Sequence, residues 1–334
     1  MSLWSISVIF LRISPKICYT GCAGASARPK VRNDPLCGCR KPPAHPSNTV
    51  WRTFTMQQLS APSPLRLRLP GFSLAQTLCC GQAFRWREQE DGSFLGAAGA
   101  HRAVIRQQGE EILIESDASP AFWENYFDCR TDYETIRRMV ASIPALEPAC
   151  RFAGGIRVLR QDGWEALASF ILSQNNNIKR ITGIIERLCC QFGNPIGGGL
   201  CAFPPPERLA GLSPEDLAPL RSGFRARYLI DAARQVTGGT VDLAALSALP
   251  TAEARAELMK IVGVGKKVAD CALLFGFGHG DCFPVDVWIG RALAELLPEG
   301  LPPSLAPCAG IAQQMIFHYM RACPDRAAAK AGEC

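Results

Sequence analysis

The chain has 334 residues, of which 48% are hydrophobic and 20% are charged. These proportions are typical of a globular protein, and the length allows two domains of modest size or a single large one. No run of 18 or more apolar residues occurs, so the sequence predicts no membrane-spanning helix and excludes the classes of protein that need one.

The formal net charge of +6 is unevenly distributed along the chain. Residues 1–55 contain eight Lys and Arg residues but only one acidic residue, Asp34, which leaves 28 basic and 29 acidic residues in the rest. The overall charge is therefore no evidence for a nucleic-acid partner. A local excess between Arg151 and Arg234, eleven basic against seven acidic residues, is compatible with phosphate binding and equally with a solvated surface.

Residues 1–55 are rich in Pro, Gly, Ala, Ser and Cys. Two interpretations of this segment stay open, an organelle transit peptide and a mis-assigned N-terminal extension with Met56 as the working start. Both predict disorder, and we also expect a disordered tail at residues 326–334.

Residues 56–150 are predicted to form a β-rich domain, with a β-like pattern from Leu65 to about Ala149. The segment LRLRLP, which begins at Leu65, alternates apolar and basic residues with a period of two. Residues 93–116 contain short apolar runs separated by Gly, which is typical of strands joined by turns. The sequence therefore predicts an antiparallel β-rich N-terminal domain.

Residues 151–325 are predicted to form an all-α domain, which makes the fold class α+β. Residues 162–192 place apolar side chains at spacings of three and four over several turns. Thr251 and Asp286 are predicted helix N-caps. Further helices are predicted at Pro214–Leu220, Arg225–Val236, Thr251–Ile261, Lys266–Phe275, Val287–Leu297 and Ile311–Met320.

The sixteen cysteines are scattered or adjacent and do not have the paired spacing of a metal site. We expect most of them to be buried thiols in a reducing compartment, and we expect no metal and no cofactor.

The segment from Leu258 to Gly278, LMKIVGVGKKVADCALLFGFG, predicts two helices joined by a tight turn at Gly263 and Gly265. Two glycines allow positive φ and let another backbone approach closely. A turn that opens a helix also leaves amide hydrogens unpaired, which suits a phosphate group. Taken alone, the turn is explained as well by an ordinary corner between helices.

Lys267 and Asp286 are the residues that point to chemistry. Lys267 is predicted in the first turn of the second helix, where a desolvated amine is a nucleophile able to form a Schiff base. Asp286 is predicted at a helix N-terminus, and a carboxylate there is able to stabilise positive charge that develops on a sugar. The alternatives are a solvated surface lysine and a simple helix cap.

Five segments together resemble the helix-hairpin-helix DNA glycosylases, and specifically the eukaryotic-type 8-oxoguanine DNA glycosylases, over about residues 60–325. They are GQAFRW from Gly81, FILSQNNNIKRITGIIERLC from Phe170, GFRARY from Gly223, GVGKKVADC from Gly263 and AQQMIF from Ala312. The resemblance implies a β-rich domain followed along the chain by a helix-hairpin-helix glycosylase domain. This is the same fold class that the pattern of apolar residues predicts.

The resemblance also implies a role for each matching residue. Lys267 would be the nucleophile that attacks the sugar, and Asp286 the essential carboxylate. Gly81 would accept a hydrogen bond from the oxidised base through its carbonyl. Phe317 would stack on one face of the base with Cys271 on the other side, and Gln313 would bind its edge. Residues implied at the opposite base and the DNA backbone are Asn175, Arg180, Phe224, Arg225, Gly263 and Gly265.

Two positions depart from the family pattern. Trp288 stands where the family commonly has His, and Phe224 stands where it commonly has Tyr. Phe224 is still able to stack into a duplex. Trp288 leaves open how a phosphate contact and a proton relay near Asp286 would be made.

The resemblance implies an intracellular, monomeric repair enzyme that acts on double-stranded DNA with oxidised guanine, in the bacterial cytoplasm or in a nucleus or mitochondrion. It would excise 8-oxoguanine, and formamidopyrimidine-guanine, opposite cytosine, and cleave the strand by β-elimination through a lysine Schiff base. Two alternatives are a glycosylase of the same fold for another damaged base, such as an alkylated purine, and a non-catalytic DNA-binding module.

Overall fold

The structure, a computed structural model, describes residues 64–323. The predicted leader, the assignment of Met56 as a start and the predicted tail lie outside the described residues.

The first described part is a five-stranded antiparallel sheet with strand order β1-β5-β4-β3-β2. Alternate residues of its central strands, such as Ala103, Ile105, Ile112 and Ile114, are buried, because a strand turns successive side chains to opposite faces. The strands are β1 (Leu65–Arg68), β2 (Trp86–Glu88), β3 (Phe94–Ala98), β4 (His101–Gln108) and β5 (Glu111–Ser116).

The second part is helical, so the predicted order of an antiparallel sheet followed by helices is confirmed. A two-stranded hairpin of β6 (Pro195–Gly197) and β7 (Leu200–Cys201) interrupts it. The α-helices, numbered along the described chain, are α1 (Leu74–Cys79), α2 (Pro120–Tyr126), α3 (Tyr133–Ala141), α4 (Glu147–Ala153), α5 (Gly163–Ser173), α6 (Ile178–Phe192), α7 (Pro206–Ala210), α8 (Arg225–Thr237), α9 (Leu243–Leu246), α10 (Thr251–Leu258), α11 (Lys266–Gly276), α12 (Val287–Leu296) and α13 (Ala309–Ala322).

Three local predictions were wrong. The β-like pattern ends at Ser116, and α2, α3 and α4 follow it. The helix predicted at Pro214–Leu220 is reduced to a single 3₁₀ turn at Ala218–Leu220. The N-cap of α10 is Pro250 rather than Thr251, because the Thr251 hydroxyl instead bonds the His279 ring at 2.9 Å and the Asp281 carboxylate at 2.8 Å.

Two buried cores underlie the two parts. One lies against the five-stranded sheet and includes Trp123 and Phe127, whereas the other fills the helical part. Side chains of α3 and α4, such as Tyr133 and Ala149 respectively, belong to the helical core. A domain boundary drawn from packing would therefore fall earlier than residue 150.

Buried polar contacts fix the sheet against the helices. Gln82 is fully buried, and its amide binds the backbone of Arg157 at 2.8 Å and of Leu159 at 2.9 Å. The Arg85 guanidinium lies 2.9 Å from the Glu165 carboxylate of α5, and both side chains are about nine-tenths buried. A buried ion pair of this kind specifies one geometry more than it adds stability. These contacts hold the loop at Gly81 in place beside the helices.

Three further findings concern membrane spans, metal sites and cysteines. None of the helices among residues 64–323 is both long and apolar enough to cross a membrane. Within the same residues, no cluster of three or more His, Cys, Asp or Glu side chains is arranged to hold a metal ion. Six cysteines of this part are buried free thiols, but Cys79 and Cys190 are exposed.

Candidate active site

A cleft of about 980 Å³ lies where the loop at Gly81 meets the helical part. Of the twelve predicted site residues, nine line it, namely Lys267, Asp286, Gly81, Cys271, Gln313, Phe317, Asn175, Phe224 and Gly265. The side chains of Arg180 and Arg225 and the residue Gly263 do not. Segments that are far apart in the sequence thus converge on one space.

Lys267 is half-buried and lies in the first turn of α11, as predicted. Its ammonium nitrogen is 5.4 Å from the centroid of the Phe170 ring. Phe170 stacks on Phe275 with a centroid distance of 5.1 Å, so the lysine rests on a stacked aromatic pair. Helix α5 approaches α11 this closely because Gly163 and Gly276 meet at their crossing, where a Cβ on Gly276 would come within 2.9 Å of Gly163.

Cys271 lies one turn after Lys267 and is buried. Burial raises the pKa of the Cys271 thiol, while the charge of Lys267 and its hydrogen bond to the thiol act to lower this pKa. The negative charge of Asp286 acts in the same direction as burial. Cys271 is therefore a neutral thiol close to both predicted catalytic residues.

Asp286 caps α12, as predicted. Its carboxylate accepts a hydrogen bond of 2.9 Å from the backbone N–H of Ile289, and the residue is half-buried at the edge of the cleft. One carboxylate oxygen is thus engaged by the backbone at the start of the helix. The other oxygen remains available to a cation that develops in the cleft.

Gln313 and Phe317 lie four residues apart on α13 and line the same cleft, as the helical spacing predicts. The Gln313 side chain is buried, and its Nε2 donates a hydrogen bond of 3.1 Å to the carbonyl of Pro284. Gly81, which faces them, has φ of +88°, and a Cβ there would lie 2.6 Å from the Ile178 side chain. Glycine is therefore required at this position of the wall.

The predicted gap-filling residues lie at the mouth of the cleft. Asn175 is exposed and has φ of +45°, and Phe224 is 48% exposed. An exposed phenylalanine beside a polar loop is suited to stacking on a base. Asn177 caps α6 by accepting a hydrogen bond of 3.0 Å from the Arg180 backbone.

The two arginines predicted to hold the opposite base differ in their exposure and in their hydrogen-bond partners. Arg180 is exposed, and within residues 64–323 its guanidinium donates only to the Arg221 carbonyl, at 3.3 Å. Arg225 is buried, and its guanidinium donates to the carbonyls of Gln174 at 2.7 Å and Asn175 at 2.8 Å. Burial lowers the pKa of Arg225, and the charge of Arg180 lowers it further. In this conformation Arg225 connects α8 to the loop that follows α5.

The hairpin between α10 and α11 is formed as predicted. Gly263 has φ of +82°, and a Cβ there would lie 2.5 Å from the Tyr228 ring. Gly265 begins α11 with no side-chain cap, so the first amide groups of this helix have no partner from that residue. An uncapped helix start suits a phosphate of a nucleic acid backbone.

The residues of the cleft that the sequence interpretation did not assign to the site include Gln314 and Arg321. Arg321 lies over the Phe317 ring at 5.7 Å from its centroid. It follows Phe317 by four residues, as Phe317 follows Gln313, so helical spacing would have identified it. Gln314 lies within the segment AQQMIF. Because it is adjacent to Gln313 rather than three or four residues away, helical spacing does not predict that it lines the same cleft.

Comparisons with known proteins agree with this geometry. Residues 65–167 match the N-terminal domain of 8-oxoguanine DNA glycosylase, and residues 168–299 match the HhH-GPD superfamily of base excision DNA repair proteins. The N-glycosylase/DNA lyase OGG1 of Arabidopsis thaliana is 29% identical over 300 residues, which cover 84% of this chain and 82% of the relative.

Two solved structures share both the fold and much of the sequence. The structure of MBOgg1 in complex with a low affinity DNA ligand has a TM-score of 0.74 and 40% identity, and covers 79% of this chain and 97% of its own. The 8-oxoguanine glycosylase/lyase of Clostridium acetobutylicum, bound to double-stranded DNA with cytosine opposite 8-oxoguanine, has a TM-score of 0.72 and 32% identity. It covers 78% of this chain and 96% of its own.

Proposed function

This chain belongs to the 8-oxoguanine DNA glycosylase family of the HhH-GPD superfamily, and from this premise we propose that it excises 8-oxoguanine opposite cytosine and then cleaves the abasic strand. Formamidopyrimidine-guanine is the second substrate, and one copy of the chain acts alone. The proposal rests on the convergence of Lys267, Asp286 and the residues assigned to the base on one cleft of about 980 Å³. This volume is ample for one nucleotide.

The damaged nucleotide must leave the duplex before it reaches the cleft. Unstacking and unpairing cost a few kcal/mol, which contacts with the enzyme must offset. In this proposal the exposed Phe224 and the loop at Asn175 fill the gap, and the hairpin at Gly263 and Gly265 holds phosphates without reading sequence.

Inside the cleft, four residues hold the base. Phe317 stacks on one face, and the neutral thiol of Cys271 contacts the other. Gln313 binds the edge of the base, and the Gly81 carbonyl accepts the N7 hydrogen that 8-oxoguanine has and guanine lacks. This hydrogen bond is worth roughly 1 to 3 kcal/mol when its buried partner would otherwise be left unpaired.

The chemistry then requires Lys267 and Asp286. The Lys267 amine forms a bond to the sugar C1′ as the bond from C1′ to the base breaks, and Asp286 stabilises the positive charge on the sugar. Opening of the sugar ring gives an imine between Lys267 and C1′. Loss of the C2′ proton then expels the 3′ phosphate, which cleaves the strand.

Single-turnover assays on four duplexes test the proposed function. The duplexes carry 8-oxoguanine opposite cytosine, undamaged guanine opposite cytosine, 7-methylguanine opposite cytosine, or an abasic site. We expect excision of 8-oxoguanine and cleavage at the abasic site only. Preferred excision of 7-methylguanine would indicate an alkylated-purine glycosylase, and binding without any cleavage would indicate a non-catalytic module.

A further inference from the structure

Gln314, beside the base-binding Gln313, has an unused hydrogen-bond acceptor. The residue is 4% exposed and lines the cleft, and its Nε2 donates a hydrogen bond of 3.0 Å to Oε1 of Gln313. Its own Oε1 is buried and has no partner among residues 64–323. A buried acceptor without a donor is destabilising, so stability alone does not explain a glutamine here.

The hydrogen bonds fix which way the Gln313 amide faces. The Pro284 carbonyl is able only to accept, and Gln313 Nε2 donates to it at 3.1 Å. The Gln313 oxygen therefore faces Gln314, whose Nε2 donates to it. If the Gln313 amide were reversed, its oxygen would meet the Pro284 carbonyl, and its N–H groups would meet those of Gln314 unless the Gln314 amide reversed as well. Pro284 thus selects the orientation, and Gln314 holds the amide in it with one further hydrogen bond.

An amide held in one orientation distinguishes the two oxidised purines. Guanine presents an acceptor at O6 and a donor at N1, whereas adenine presents a donor at N6 and an acceptor at N1. Both 8-oxoguanine and 8-oxoadenine carry an N7 hydrogen, so the Gly81 carbonyl does not separate them. The edge that Gln313 binds is where they differ.

We propose that Gln314 is a positioning residue that fixes the Gln313 amide and so sets the preference for oxidised guanine over oxidised adenine. This inference rests on the proposed function, in which Gln313 binds the edge of the base. Gln314 itself acts through Gln313, because its unpaired oxygen is closed off from solvent in the cleft.

Two substitutions test this role. Gln314→Met removes the donor, so that reversal of the Gln313 amide is opposed only by Pro284. The change removes the unpaired oxygen of Gln314 but leaves Gln313 Oε1 without its donor; these two effects on stability oppose each other, so this variant is expected to fold. Burial raises the pKa of a carboxyl at this position, so Gln314→Glu is assayed at alkaline pH, where its carboxylate presents only acceptors to Gln313 and favours the reversed amide.

The measurement is the ratio of single-turnover excision rates for 8-oxoguanine and 8-oxoadenine, each placed opposite cytosine. We expect the ratio to fall about tenfold in Gln314→Met, the weight of one hydrogen bond, and further in Gln314→Glu. Met315→Leu, a volume-conserving change at the buried neighbour that does not line the cleft, is the control and keeps the wild-type ratio.

The possible outcomes distinguish failure of the positioning role of Gln314 from failure of the proposed function. A wild-type protein that excises 8-oxoguanine, with the same ratio in both Gln314 variants, would overturn the positioning role even if both rates fell together. A wild-type protein that excises neither lesion would overturn the proposed function, and this inference with it.

Discussion

The ammonium nitrogen of Lys267 lies over the ring of Phe170, 5.4 Å from its centroid. The ring in turn stacks on Phe275 and receives the edge of Phe84 at 5.9 Å. A flat apolar floor restricts where the amine is able to lie, and a cation is attracted to the face of such a ring. The amine is therefore held over this floor of the cleft.

This placement predicts the nucleophile. We expect Lys267→Gln to abolish borohydride trapping on a duplex with 8-oxoguanine while specific binding is retained, because only the amine forms the imine. Lys266→Gln is the matched control, since Lys266 is the exposed neighbour and does not line the cleft. Trapping that persisted in Lys267→Gln and vanished in Lys266→Gln would reverse the assignment.

A second prediction concerns the opposite strand. If Arg225 exchanges its backbone carbonyl partners for an unpaired cytosine, Arg225→Ala should reduce the preference for lesions opposite cytosine over lesions opposite adenine about tenfold. The check is the ratio of single-turnover rates for the two duplexes. Arg234→Ala is the control, because Arg234 also donates to backbone carbonyls, those of Ala210 and Leu212, from the same helix. An unchanged ratio in Arg225→Ala would assign the cytosine to other groups.

A third prediction concerns how oxidised guanine is distinguished from guanine. If the Gly81 carbonyl accepts the N7 hydrogen, then 8-oxoguanine and formamidopyrimidine-guanine should be excised and 8-bromoguanine should not, because it has a bulky C8 substituent but no N7 hydrogen. Discrimination from this hydrogen bond is on the order of a hundredfold at most. Single-turnover excision opposite cytosine is the measurement. Comparable cleavage at 8-bromoguanine would mean that the enzyme reads the shape at C8.

A fourth prediction compares the two glycines of the hairpin. Gly263→Ala should lower the free energy of unfolding by about 1–3 kcal/mol, because φ is +82° and the new Cβ would meet the Tyr228 ring. Gly265→Ala should leave it nearly unchanged, because φ is −94° and no atom lies within 4 Å of the added Cβ. Gly265→Ala should instead weaken binding to undamaged duplex, because the methyl group would keep a phosphate from the start of α11. Denaturant unfolding and DNA titration measure the two effects, and equal losses of stability would refute the distinction.

The sequence by itself determined the features that depend on local chemistry. The order of strands and helices follows from the period of apolar residues, and the cap at Asp286 follows from its own side chain and the next turn of backbone. The hairpin follows from two closely spaced glycines. The resemblance to glycosylases rested on the order of such local segments, which is why the fold class was predictable.

Only the tertiary structure decided which distant groups meet. Spacing along the chain predicted neither that Pro284 would orient the Gln313 amide nor that Gln174 and Asn175 would bind the Arg225 guanidinium. Thr251 shows the same limit, because its hydroxyl bonds His279 and Asp281 rather than the helix that begins there. The type of a residue determines which hydrogen bonds its side chain is able to donate or accept. Its actual partner depends on which segments the packing of the core brings within about 3 Å of it.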